Sequence, residues 1–137
     1  MTYTLRSHTA DVAVEADAES LGAVFAAVAD GMAAAMCDEI PANGGSHHDL
    51  SVRAEGREAL LFDYLDDLIY ERDVRSVLPV DNEATVGRDG DDWTLTGSYR
   101  GVPLSAVDAR DLKAVTYSEM RVAATDDGWT AYVVFDV

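Results

Sequence analysis

The 137-residue chain predicts an α+β fold, with two helices packed on one face of a mostly antiparallel sheet, in a single domain over residues 1–137. Three observations lead there. Two segments carry apolar residues at helical spacing. Much of the remainder alternates apolar and polar residues in the manner of half-buried strands. Hydrophobic residues make up 48% of the chain, enough to fill one core.

Tyr3 to Arg6 and Asp11 to Ala16 read as strands, the second because Val12, Val14 and Ala16 alternate with Ala13 and Glu15. Ser20 suits a helix N-cap, and Leu21, Val24, Phe25, Val28, Met32 and Met36 then recur on a helical stripe. Pro41 to Ser46 is a loop, and His48 to Ala54 alternates again through Leu50 and Val52. A second helix is expected from about Arg57 to Glu71. Its inward face holds Leu61, Tyr64, Leu65, Leu68 and Ile69, and Asp63, Asp66, Asp67 and Arg72 form a solvated stripe.

Val77 to Val86 is expected as one or two short strands broken near Asp81-Asn82. Gly87 to Gly90 turns the chain into a strand over Trp93 to Tyr99. A loop covers Val107 to Asp111, Lys113 to Ala123 is extended, and Asp126-Asp127-Gly128 turns into a last strand, Trp129 to Asp136. There Trp129, Ala131, Val133 and Phe135 share one face, which places Asp136 on the other.

No apolar run approaches the ~20 residues of a bilayer span. Met1 to Arg6 lacks the basic start and apolar stretch of a signal peptide, so a soluble, unsecreted protein is expected. The one cysteine, Cys37, excludes an intrachain disulfide and a cysteine-built zinc site, and reads as a small buried hydrophobe in a reducing cytoplasm.

Charge is the strongest compositional signal. Twenty-six acidic residues face ten basic ones, giving a net charge of −16, and Asp outnumbers Glu by 18 to 8. Nine of the ten cations are Arg, which leaves Lys113 as the only lysine. Excess Asp with almost no Lys fits a protein kept soluble in molar salt, where the Debye length falls to about 3 Å and self-repulsion is screened. A halophilic cytoplasm is therefore expected. The same balance opposes direct binding to a nucleic-acid backbone, which calls for clustered Lys and Arg.

The phosphate-cradling glycine loop, the G-x-S-x-G elbow, H-E-x-x-H and paired C-x-x-C are all missing, which argues against an enzyme. Three places hold residue types that could carry chemistry. In His8-Thr9-Ala10-Asp11 the acid either satisfies backbone donors at a strand reversal or serves as a hard oxygen ligand. At Phe135-Asp136-Val137 the Asp136 side chain and the Val137 α-carboxylate lie within two residues of each other. With Asp11 they make an oxygen-only set suited to Ca²⁺ or Mg²⁺, although acids this abundant also meet by chance. In Lys113-Ala114-Val115-Thr116-Tyr117 the lone lysine is either a surface accident or a point charge that Arg could not replace. His47-His48 reads as an incidental loop pair.

These places, in this order, resemble the archease family. His8 to Val12 resembles its opening motif. Ser20-Leu21 with Phe25, Gly31 and Met32 resembles its first helix, and Leu60 to Leu65 its second. Lys113 to Tyr117 and the terminal Phe135-Asp136-Val137 complete the match; Ser118 departs from it, standing where many members carry His. The resemblance implies a fold of two interleaved strand-helix-strand-strand modules. It also implies a non-catalytic activator of the GTP-dependent tRNA-splicing RNA ligase, promoting ligase guanylylation and multiple turnover. It further implies a metal site at Asp11, Asp136 and Val137, with calcium as the expected ion, and a role for Lys113 in activating the partner. Two alternatives come from other classes. One is a small-molecule-binding α+β module without a ligase partner; the other is a metal-assisted hydrolase built on Asp11 and Asp136, for which no general base is evident.

Overall fold

The computed structural model describes residues 2–7 and 11–137. Its architecture follows from the first helix, α1 (Leu21–Met36), of whose sixteen residues twelve are buried. A helix apolar around most of its circumference needs a layer on more than one side. The strands accordingly divide between two antiparallel sheets instead of forming one. The expected α+β class, with two helices on antiparallel strands, is the one found.

The first sheet contains β1 (Thr2–Ser7), β2 (Asp11–Ala18), β6 (Ala114–Thr125) and β7 (Gly128–Asp136), in the order β1-β2-β7-β6. The second contains β3 (Ser46–Ala54), β4 (Val77–Asp89) and β5 (Asp92–Pro103), in the order β3-β5-β4. The second helix, α2 (Arg57–Arg75), links β3 to β4. In each sheet the strand preceding the helix and the strand following it flank the last strand of the set. Two modules with the same strand order result, β2-α1-β6-β7 and β3-α2-β4-β5, the second inserted within the first. Each helix also crosses between them: α1 packs on β1, β2, β7 and β4, and α2 packs on β3, β4, β5 and β6.

Local chemistry sets the ends of the helices. The Ala23 N–H donates to Ser20 Oγ at 3.1 Å, the expected cap of α1. Where α1 meets β4, a Cβ on Gly22 would run into the Ala84 carbonyl, so only glycine permits this approach. α2 runs one turn beyond the expected end, through an Arg75–Glu71 pair at 3.1 Å, and stops at Ser76 in the left-handed region (φ 55°).

Arg72 corrects the expected solvated stripe. It is 7% exposed, because it follows Leu68 and Ile69 by one turn and so falls on their inward face. Asp67 of the same stripe is half-buried. The suspected break in β4 is a bulge between Val80 and Glu83, with Asp81 at φ 49°. There both the backbone N–H and the side-chain amide of Asn82 donate to Asp30 Oδ1, at 3.0 and 2.9 Å. A similar irregularity interrupts β6 between Thr116 and Arg121. Cys37 is buried, as expected.

Candidate functional site

The sequence-identified residues meet at one end of the first sheet. Asp11 opens β2 directly opposite Asp136 of β7, and Asp136 is in turn opposite Ala114 of β6. The Lys113 N–H donates to the Asp136 carbonyl at 2.9 Å, which fixes the lysine backbone beside the carboxylates. Asp11 and Val137 line one cleft of about 350 Å³. Three strands from opposite ends of the chain therefore bring Asp11, Asp136, Val137 and Lys113 into one neighbourhood. His8, Thr9 and Ala10 of the opening motif lie outside the described residues.

Opposed residues on adjacent strands project to the same face, where like charges destabilise the pair by about 0.2–1 kcal/mol. The Asp11–Asp136 pairing is thus unfavourable without a counter-charge. Moreover, Asp11 Oδ1 is buried and has no hydrogen-bond partner among the described residues. A desolvated carboxylate oxygen with no donor is costly. A hard cation would relieve both problems. Carboxylate and main-chain oxygens are the donors that Ca²⁺ and Mg²⁺ take. No group of three or more His, Cys, Asp or Glu side chains is gathered for a metal among the described residues. Of the three expected ligands, Asp11 and Val137 line the cleft, while Asp136 is brought to Asp11 by strand register and does not line it.

Three further residues of the cleft were not foreseen from the sequence: Asp38, Arg110 and Asp111. Arg110 closes the end of α1. Its backbone N–H donates to the Met36 carbonyl at 2.6 Å and its Nη2 to the Ala35 carbonyl at 3.0 Å, satisfying acceptors that a helix C-terminus leaves open. The same guanidinium lies 2.9 Å from Asp38 Oδ1. That hydrogen bond holds the Asp38 carboxyl below the usual carboxylate range. The available signal was the need of the α1 C-terminus for donors, but spacing alone does not say that residue 110 supplies them.

Lys113 is exposed at this edge. The histidine pair lies within β3, not in the expected loop: His47 Nε2 lies 2.9 Å from Asp49 Oδ1, and His48 packs against Tyr99 with ring centroids 5.3 Å apart. The cleft lining is mixed, with Asp11, Asp38, Arg110 and Asp111 set among the apolar Leu5, Val12, Ala34, Ala35 and Val137.

Solved structures share this two-helix, two-sheet architecture. The solution structure of Methanobacterium thermoautotrophicum protein 1598 matches with a TM-score of 0.83 at 24% identity, covering 98% of each chain. The crystal structure of an archease, described as a possible chaperone, from Thermotoga maritima matches with a TM-score of 0.63 at 21% identity, covering 96% of this chain and 94% of that one. The class so defined is an α+β protein of two interleaved strand-helix-strand-strand modules.

Sequence comparison then gives the family. An archease from Archaeoglobus fulgidus is 32% identical over 140 residues, covering 100% of each chain. One from Methanosarcina barkeri is 28% identical over 142 residues, covering 98% of this chain and 95% of its own. The Archease protein family model matches residues 3–137, and this chain belongs to the archease family. No helix among the described residues is long and apolar enough to cross a membrane.

Proposed function

We propose that this chain is a non-catalytic activator of a GTP-dependent tRNA-splicing RNA ligase, acting in the cytoplasm to promote ligase guanylylation and multiple turnover. Archease family membership supports the reading. The observation that carries it to particular residues is the anchoring of the only lysine, by its backbone, beside a facing pair of carboxylates. A compact ammonium placed there can stabilise phosphate charge developing in the partner's active site. A divalent cation, calcium in this proposal, bound by Asp11, Asp136 and Val137 would neutralise the carboxylate pair and stiffen the edge that presents Lys113. The net charge of −16 belongs in the same proposal: it suits a halophilic cytoplasm and a protein partner, not direct contact with RNA.

The test is RNA joining by sub-stoichiometric cognate ligase in molar KCl, with and without this protein. The expected result is stimulation by wild type, none by Lys113→Ala, and partial recovery with Lys113→Arg. Joining that is indifferent to the wild-type protein would reject the activator reading. Thermal midpoints should rise substantially from low to molar KCl, and a flat curve would reject the halophilic one.

A further inference from the structure

One buried charge takes no part in the site as described so far. Arg72 sits on the inward face of α2, and its guanidinium ties three separate segments together. Nη1 donates to the Leu112 carbonyl at 2.8 Å and lies 3.3 Å from Met36 Sδ at the end of α1. On the other side, Nη2 lies 2.9 Å from Asp73 and 3.6 Å from Asp111. The chain from Ala109 to Lys113 has no regular secondary structure, yet it is held at every step. Ala109 bridges to Cys37, Arg110 binds the end of α1, Asp111 and Leu112 meet Arg72, and the Lys113 N–H meets the Asp136 carbonyl. Lys113 thus has the carbonyl before it gripped by the second module and its own N–H gripped by the first.

We propose that Arg72 is a positioning residue for Lys113, a clamp through the Leu112 carbonyl that sets where the lysine is presented to the partner. The proposal rests on the activator reading and adds to it the residue that fixes the lysine's place. A planar guanidinium can hold a carbonyl on one edge and carboxylates on the other, an arrangement the point charge of lysine cannot reproduce. Placement matters because small displacements of a charge from the reacting group cost large factors in rate. The clamp can also be released without emptying the core. Met has a stem like that of Arg, and the two acids left unpaired, Asp73 and Asp111, are 62% and 79% exposed and remain hydrated.

The experiment compares wild type, Arg72→Met and Arg72→Lys by amide hydrogen exchange and by titration of ligase stimulation in molar KCl. Exchange at Lys113 should quicken by about tenfold in Arg72→Met while Leu95, deep in β5, exchanges as in wild type. Maximal stimulation should fall by about tenfold with the half-saturating concentration unchanged, and Arg72→Lys should recover only part of it. Lys113 exchange and stimulation both at wild-type levels in Arg72→Met would overturn the proposal. So would acceleration at Lys113 and Leu95 together in both variants, since that marks a role in stability alone. If the wild-type protein fails to stimulate the ligase, the activator reading falls by itself. The exchange at Lys113 then still decides whether Arg72 holds the lysine.

Discussion

At the end of the first module β2, β7 and β6 align Asp11, Asp136 and Ala114; at the corresponding end of the second, β3, β5 and β4 align Ser46, Gly101 and Pro79. The strand order is the same, but one edge carries opposed carboxylates with a lysine beside them and the other has no charged side chain at its three aligned positions. The helices differ as well. α1 buries twelve of its sixteen residues, whereas α2 buries seven of nineteen and turns Asp63, Asp66 and Tyr70 to solvent. One topology therefore serves two purposes. In the first module it supplies the core helix and the edge with facing carboxylates, and in the second a more exposed helix, from which Arg72 reaches Leu112 and Asp111.

Substitutions can break this asymmetry, and the largest effect should come from the helices. Phe25→Ala in α1, at 0% exposure, should cost about 3–5 kcal/mol of unfolding free energy. Tyr70→Ala in α2, at 60% exposure, should stay within about 0.5 kcal/mol. Denaturant unfolding in molar KCl measures both, and comparable losses would show that α1 is not the privileged core helix.

The strand ends should give the next largest difference. Asp136→Asn should weaken Ca²⁺ binding by about tenfold or more, because it removes a formal charge from the proposed hard-ion site. It should also raise the stability of the ion-free protein by about 0.2–1 kcal/mol, through relief of the repulsion with Asp11. Ser46→Ala at the matching position should do neither. Calorimetric affinities equal for wild type and Asp136→Asn would remove the cation from this edge.

The smallest effect concerns the contact between α1 and the β4 bulge. Burial raises the Asp30 carboxyl above its ordinary 3.8, with the Asn82 hydrogen bonds offsetting only part of that. The folded state therefore binds the proton more tightly than the unfolded chain, and stability declines as pH rises from 3.8 through the folded value. Asp30→Asn should flatten that decline. An unchanged pH profile would show that Asp30 is as well solvated in the folded protein as in the unfolded chain.

The type of nearly every element was legible because each rested on local signals, such as the Ser20 cap, the Leu61-to-Ile69 stripe and the alternation ending in Phe135. The division into two sheets was not. It depends on β2 pairing with β7, a contact between distant parts of the chain that periodicity does not encode. Arg72 was misplaced because its charge suggested solvent while its spacing after Leu68 pointed inward, and spacing prevailed because the Leu112 carbonyl and two carboxylates receive the guanidinium. At the site, Asp11 was grouped with Asp136 and Val137 as an oxygen-only set, whereas Lys113 was singled out separately and only family resemblance joined it to them. Their adjacency is a property of register, and Arg110 and Asp38 entered the cleft through tertiary contacts with no sequence pattern to mark them.

The insertion of one module inside the other also orders events during synthesis. β3, α2, β4 and β5 are consecutive and can pair while the remainder of the chain is still being made, whereas β2 must wait for β7, the last strand to emerge. The apolar α1 leaves the ribosome before most of the strands that cover it, so it is the segment most exposed to misassociation in the interval. The carboxylate pair forms only when β7 docks, so a chain stalled before that strand carries Asp11 without the acid that faces it.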